Sequence, residues 1–202
     1  MDVDQVINLY HNKGLSSQEV GDQLGKTVWQ VIKFMRKHSI PRRKASETHR
    51  LQFYRSPLSY NKKQRMTLKE KRLYEACLML YWAEGVKAGK HTVDLANSDK
   101  DMVMLFLEML RRVYKVDEHR LRVLLYCYEN QNKDKLINYW SKKLDIPVDQ
   151  FIKPYVRQDY NKNKKHKMPY GLVHIRYNDM RLFADIKKAI SIIKNELLIQ
   201  VS

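Results

Sequence analysis

The 202-residue sequence predicts an α+β protein in two parts: a small three-helix unit, then a larger unit in which helices alternate with short strands. Three observations lead there. Between residues 3 and 40, apolar residues recur with the helical period in three short runs, bounded by capping residues and glycines. From residue 67 onward, helical stripes alternate with runs in which every second residue is apolar. The third observation is the distribution of the net charge of +17. Window 33–72 holds fourteen Lys/Arg against Glu47 and Glu70, window 153–167 holds six against Asp159, and the other 147 residues carry nineteen charges of each sign. Two basic segments on neutral ground are contact surfaces for a polyanion, nucleic acid first and an anionic membrane surface second.

Several classes are excluded by composition. At 44% hydrophobic residues the chain folds rather than staying disordered. No apolar run reaches the roughly 18 residues of a membrane span, and the acidic, amphipathic start MDVDQVINLY is unlike a signal peptide. Cys77 and Cys127 both lie in apolar runs and read as buried thiols of a reducing cytoplasm. There is no HExxH, no Cys/His zinc spacing, no Gly-rich phosphate loop and no GxSxG elbow.

In the first part, Val3, Val6, Ile7 and Tyr10 form an apolar stripe ended by Gly14. Ser16 with Glu19 is a capping box that opens a second helix, with Val20 and Leu24 inside and Gly25 as its stop. Thr27 caps a third helix that turns Val31 and Met35 inward, and Ile40-Pro41 breaks the pattern. Residues 44–66 are basic and polar without strong periodicity and read as a linker or arm between domain 1–43 and domain 67–202.

In the second part, Thr67 and Glu70 form another capping box. The helix that follows runs to about Glu84, with Leu73, Cys77, Leu80 and Glu84 on one stripe. Between Ala76 and Ala83 it is apolar on every side, which predicts burial on both faces and a second cover. Residues 92–96 alternate as a strand, and Ser98 with Asp101 caps a helix carrying Met102, Leu105, Phe106, Met109, Leu110 and Val113 inward. Leu121–Tyr128 is a strand, 134–144 a helix with Leu136, Ile137, Trp140 and Leu144 inside, and the stretch after it a basic loop. A strand at Leu172–Tyr177 and a helix at 180–198 complete the chain. The strands should pair mainly antiparallel, with helices on one face and a polar face left for a partner. Lys87, Lys90, His91, Thr92, Asp94, Arg122, Tyr126, Tyr128, His174 and Arg176 are the candidates on that face. Lys164 and Lys165, in the basic loop, are candidates for phosphate contact.

The run Ser16-Ser17-Gln18-Glu19-Val20-Gly21-Asp22-Gln23-Leu24-Gly25, followed by Val31, Met35 and Arg42-Arg43, resembles the helix-turn-helix of small bacterial DNA-binding domains. The resemblance implies that the third helix enters a major groove. Val28, Trp29, Ile32 and Lys33 would point outward, Thr27 and Gln30 would lie near phosphates or base edges, and Arg42 and Arg43 would meet the backbone or minor groove. A three-helix protein-interaction module is the other reading.

The stretch Cys77-Leu78-Met79-Leu80-Tyr81-Trp82-Ala83-Glu84-Gly85 resembles the LAGLIDADG motif of homing endonucleases, and the order of elements over 68–198 is similar to that family's. The resemblance implies a saddle-shaped sheet lying on duplex DNA. It also implies a homodimer through helix 68–84, because one motif is present, and Mg²⁺ held at Glu84 and Gly85. Lys87, His174 and Arg176 would assist phosphodiester hydrolysis. Met79 stands where the family usually carries a small residue, and both Met79 and Tyr81 are bulky for close helix approach. Three readings stay open: a site-specific endonuclease acting on prokaryotic or organellar DNA, a non-catalytic transcription regulator of the same fold, and an RNA-binding protein.

Overall fold

The structure is a computed structural model that describes residues 1–89, 91–158 and 168–199. It is α+β, with eight helices and one open, mixed four-stranded sheet among the described residues. The chain divides into two compact units, Met1–Pro57 and Leu58–Ser202.

The first unit contains α1 (Val3–Ile7), which runs on into a π turn (Asn8–Asn12), then α2 (Ser17–Leu24), α3 (Val28–Lys37) and α4 (Ala45–Arg55). Its core is Val6, Leu9, Tyr10, Val20, Val31, Met35 and Ile40. The π turn changes the register of the first stripe, so Leu9 and Tyr10 are inside while Ile7, expected inside, is 36% exposed. The other two helices start where local chemistry places them. Ser16–Glu19 and Thr27–Gln30 both form complete capping boxes, and Gly25 closes α2 in the left-handed conformation at φ 62.

Residues 45–55 differ from the expected linker. They form α4, which has no buried residue and is held by polar contacts that leave no apolar period to read. Arg55 Nη2 donates to both carboxylate oxygens of Glu19 at 3.0 Å, and Gln52 Nε2 reaches the same carboxylate. Glu19 also accepts from the Ser16 N–H at 2.7 Å. That backbone hydrogen bond, more than the Arg55 charge, pulls the Glu19 carboxyl down from its ordinary 4.5 to about 2. A depressed carboxyl stabilises the fold above its unfolded value, and the contribution is lost as pH falls from about 4.5 through about 2. Glu19→Gln should keep the capping geometry but lose the ion pair. We expect a loss below about 1 kcal/mol, with weaker amide-exchange protection in α4 and a flatter acid limb of the stability curve. Unchanged protection in α4 would refute this role.

The second unit contains α5 (Leu68–Glu84), β1 (Val93–Asn97), α6 (Lys100–Met109, followed by a π turn Leu110–Tyr114), β2 (Leu121–Tyr128), α7 (Lys133–Leu144), β3 (Phe151–Arg157), β4 (Leu172–Tyr177) and α8 (Met180–Ile199). The cap of α6 is Asp99, whose carboxylate accepts from the N–H groups of Asp101 and Met102, and not Ser98 as expected. Residues 58–63, read as linker, belong to this unit. The Ser59 hydroxyl donates to the buried Asp179, which caps α8, and Asn61 N–H donates to the Tyr114 carbonyl.

The sheet order is β1-β4-β2-β3. β4 pairs antiparallel with both β1 and β2, as the alternating patterns suggested. β3 is a strand where a basic loop was expected, and it pairs parallel to β2. Its alternation is broken by a bulge: Leu124 pairs Ile152 and Tyr126 pairs Tyr155, so Lys153 and Pro154 together face Leu125. One face of the sheet (Val93, Leu95, Leu121, Val123, Leu125, Val173, Ile175 and Tyr177) joins Tyr81, Phe106, Trp140 and Ile186 of the helices in one core. Residues of the other face, Asp94, Arg122, Leu124, Tyr126, His174 and Arg176, lie outside that core.

α5 is not buried all round. Cys77, Leu78 and Tyr81 are buried, but Ala76, Trp82 and Ala83 are exposed, and Met79 and Leu80 are half-buried. Beside it, Met102 (40%) and Leu105 (51%) of α6, expected inside, are open to solvent. No helix among the described residues is long and apolar enough to cross a membrane.

Candidate nucleic-acid interface

Two surfaces carry the polar and basic residues singled out in the sequence, one in each unit. In the first unit α3 buries Val31 and Met35 and exposes Trp29, Gln30, Lys33, Arg36 and Lys37 along the opposite side. Trp29 is 75% exposed, so it is available to a partner rather than part of the core. Thr27 and Gln30 cap the helix start with each other: Gln30 N–H donates to Thr27 Oγ1 at 3.3 Å and Thr27 N–H donates to Gln30 Oε1 at 2.9 Å. The Gln30 amide nitrogen takes no part in this cap. Arg42 is exposed.

Arg43, expected on the nucleic-acid backbone, is instead turned into its own unit. Its guanidinium lies 4.1 Å from the Tyr10 ring centroid, Nη2 donates to the Leu15 carbonyl, and Nε and Nη1 are buried. The Arg43 N–H donates to the Tyr10 hydroxyl at 3.0 Å. Arg43 therefore closes the loop after α3 over the π turn that follows α1. Tyr10 lies 33 residues away in sequence, so no local pattern marks the contact.

In the second unit the strand pairing brings residues far apart in sequence into rows. Asp94, Arg176 and Arg122 share one row, and Ala96, His174 and Leu124 the next. Asp94 is 6% exposed and accepts from Arg176 Nε at 2.7 Å and bonds His174 Nδ1 at 2.8 Å. His174 is itself buried, so its imidazole is not the open group expected from the sequence. This carboxylate fixes the Arg176 fork and holds the His174 ring through Nδ1. Arg122 donates to the carbonyls of His119 and Leu121, and Arg120, missed in the sequence, donates to that of Asn178. These arginines and Arg176, with His91, Thr92 and Asp94, border a hollow of ≈ 430 Å³. Three oriented guanidinium groups round one hollow suit a phosphate.

Glu84 ends α5. Gly85 bridges to Leu95 and Val86 N–H donates to the Asp94 carbonyl at 2.9 Å, so the end of α5 is tied to β1 just after Glu84. Glu84 is exposed, and Lys87 reaches back to the Ala83 carbonyl at the helix end. Gly85 is buried, with its N–H on the Tyr81 carbonyl. Tyr81, which looked bulky for helix approach, points into its own core. Its ring stacks on Phe106, its hydroxyl donates to the Val86 carbonyl, and burial raises that hydroxyl to about 12. Among the described residues no group of three His, Cys, Asp or Glu side chains could hold a metal ion. With Asp94 already engaged by Arg176 and His174, the described residues of one chain do not by themselves fit Mg²⁺.

At the far end of the polar face, Tyr126 stands between His174 (4.8 Å) and Tyr155 of β3 (4.9 Å, ring centroids). Tyr155 and Arg157 were missed in the sequence because β3 was. Lys90, Lys164 and Lys165 lie outside the described residues. In comparisons with known proteins, no family model, no curated protein and no solved structure matches the chain.

Proposed function

We propose that this chain binds double-stranded DNA site-specifically. The observation that carries the reading is α3: a ten-residue helix with one side sealed into its unit and the other presenting Trp29, Gln30, Lys33, Arg36 and Lys37 with no acid. A helix of that width fits the major groove, and its cations match the phosphates that flank it. The hollow edged by Arg120, Arg122 and Arg176 supplies a second surface of the same chemistry. Binding of a randomised duplex library should weaken steeply with salt. Replacing Lys33 and Lys37 together by Ala should cost roughly tenfold in affinity at 0.1 M salt and reduce the salt slope by about 2. Salt-independent binding, or none, would overturn the reading.

Hydrolysis by a homodimer is the second reading, favoured by the open side of α5. Ala76, Leu80 and Ala83 recur there at helical spacing, two of them small, and exposed Glu84 ends the same helix. A second copy laid along this stripe would cover it and bring two Glu84 carboxylates together. A divalent ion shared by such a pair would supply a water nucleophile and neutralise the leaving oxygen. The decisive comparison is the wild-type chain beside Glu84→Gln, with Mg²⁺ and plasmid DNA, alongside light scattering at micromolar concentration. Cleavage lost in the variant and a dimeric mass support this reading. Binding without cleavage leaves the chain a DNA-binding regulator.

A further inference from the structure

We propose that the β2–β3 end of the polar sheet face is a stacking seat for an unpaired nucleobase, with Tyr155 as the platform. This goes beyond duplex binding and rests on the nucleic-acid reading only for the class of ligand. The bulge is the first observation. Counting on from Ile152, which shares the polar face with Leu124, strict alternation would send position 155 to the core side. The extra residue at Lys153-Pro154 restores Tyr155 to the polar face, opposite Tyr126. A bulge that re-aims one side chain at a sheet rim is a device for presenting it.

The rings themselves are the second observation. His174, Tyr126 and Tyr155 form a column with successive centroids 4.8 and 4.9 Å apart. Its inner end is tied to Asp94 through His174 Nδ1, so the column is braced from below. Its outer ring is 56% exposed, although it is large and apolar. The third observation is the surrounding charge. The Tyr126 and Tyr155 rings border a hollow of ≈ 660 Å³ with Arg157 and Gln158. Arg157 also lies over Tyr128, and among the described residues no acidic side chain lines the hollow. A planar, electron-poor ligand carrying a phosphate matches an aromatic floor with a guanidinium at its side. A base inside an intact duplex keeps both faces covered by its neighbours, so only an unstacked base can use the seat.

Full-length protein is titrated with three DNA probes carrying one 2-aminopurine: a single strand, a duplex with the probe as a one-base bulge, and the fully paired duplex. The expected result is quenching of the single strand, the bulge or both, the two arms separating a free strand from a locally opened duplex. Tyr155→Ala should weaken that binding roughly tenfold and abolish quenching, Tyr155→Phe should retain both, and paired-duplex affinity should stay within about twofold. Tyr155 is exposed, so the variants are expected to fold, and circular dichroism checks it. Wild-type quenching in Tyr155→Ala, or no quenching by wild type with either unpaired probe, overturns the stacking seat. Quenching without paired-duplex binding would leave the seat standing and sink the duplex proposal instead.

Discussion

Asp94→Asn should destabilise the second unit by roughly 2–4 kcal/mol, with the denaturation midpoint lowered and the denaturant dependence unchanged. The carboxylate is buried and serves two donors on β4, Arg176 and His174. An amide of the same shape offers one oxygen acceptor and sets its NH₂ against the other donor. It also leaves the Arg176 guanidinium without its countercharge. Arg176→Met in the same chain should recover part of the loss, because the uncompensated charge is then gone. A midpoint equal to wild type for Asp94→Asn would show that the cluster carries no structural load. On the proposed duplex reading the substitution should also weaken DNA binding beyond its effect on stability, because the Arg176 side chain loses the partner that fixes it beside the hollow.

The second large effect is expected at Gly85. An added Cβ would stand 2.5 Å from the Tyr81 carbonyl oxygen and 2.6 Å from the Tyr81 ring. Gly85 has φ −70, so the demand is for space and not for an unusual backbone. Tyr81 cannot yield cheaply. It is fully buried, stacked on Phe106 at 5.5 Å, and bonded at its hydroxyl to both the Val86 carbonyl and the Asp94 N–H. Gly85→Ala should therefore cost roughly 1–3 kcal/mol. It should also loosen the bridge that joins the end of α5 to β1, read as faster amide exchange at Val86 and Asp94. A stable Gly85→Ala protein with unchanged exchange would refute the close approach.

What could be read from the sequence was what is local. Ser16–Glu19, Thr27–Gln30 and Thr67–Glu70 all form the capping boxes that their spacing announced, and each sets its helix within a residue of the expected start. β1, β2 and β4 were legible because each keeps its two-residue alternation unbroken. β3 was not, because Pro154 and the bulge interrupt its period. α4 escaped notice because its hold is an ion pair to Glu19 across 36 positions, with no buried side chain of its own. The site divides the same way. Lys33, Trp29 and Arg122 are exposed, where helix and strand period put them. The inward turn of Arg43 and the joint capture of His174 and Arg176 by Asp94 depend on strand register and loop closure, which no single stretch of sequence contains.

The irregularity in β3 has a further consequence for how copies of this chain can meet. Among the described residues β3 is a rim strand, paired on one side only. An uninterrupted rim would offer a ribbon of amide and carbonyl groups to any extended peptide, including the same strand of another molecule. Pro154 has no amide hydrogen, and the bulge beside it throws the spacing of its neighbours out of step. Growth of the sheet from molecule to molecule is thereby discouraged on this border. On the helical side, Ala76, Ala83 and Leu105 are open to solvent. The same irregularity that turns Tyr155 toward solvent thus guards this border of the sheet.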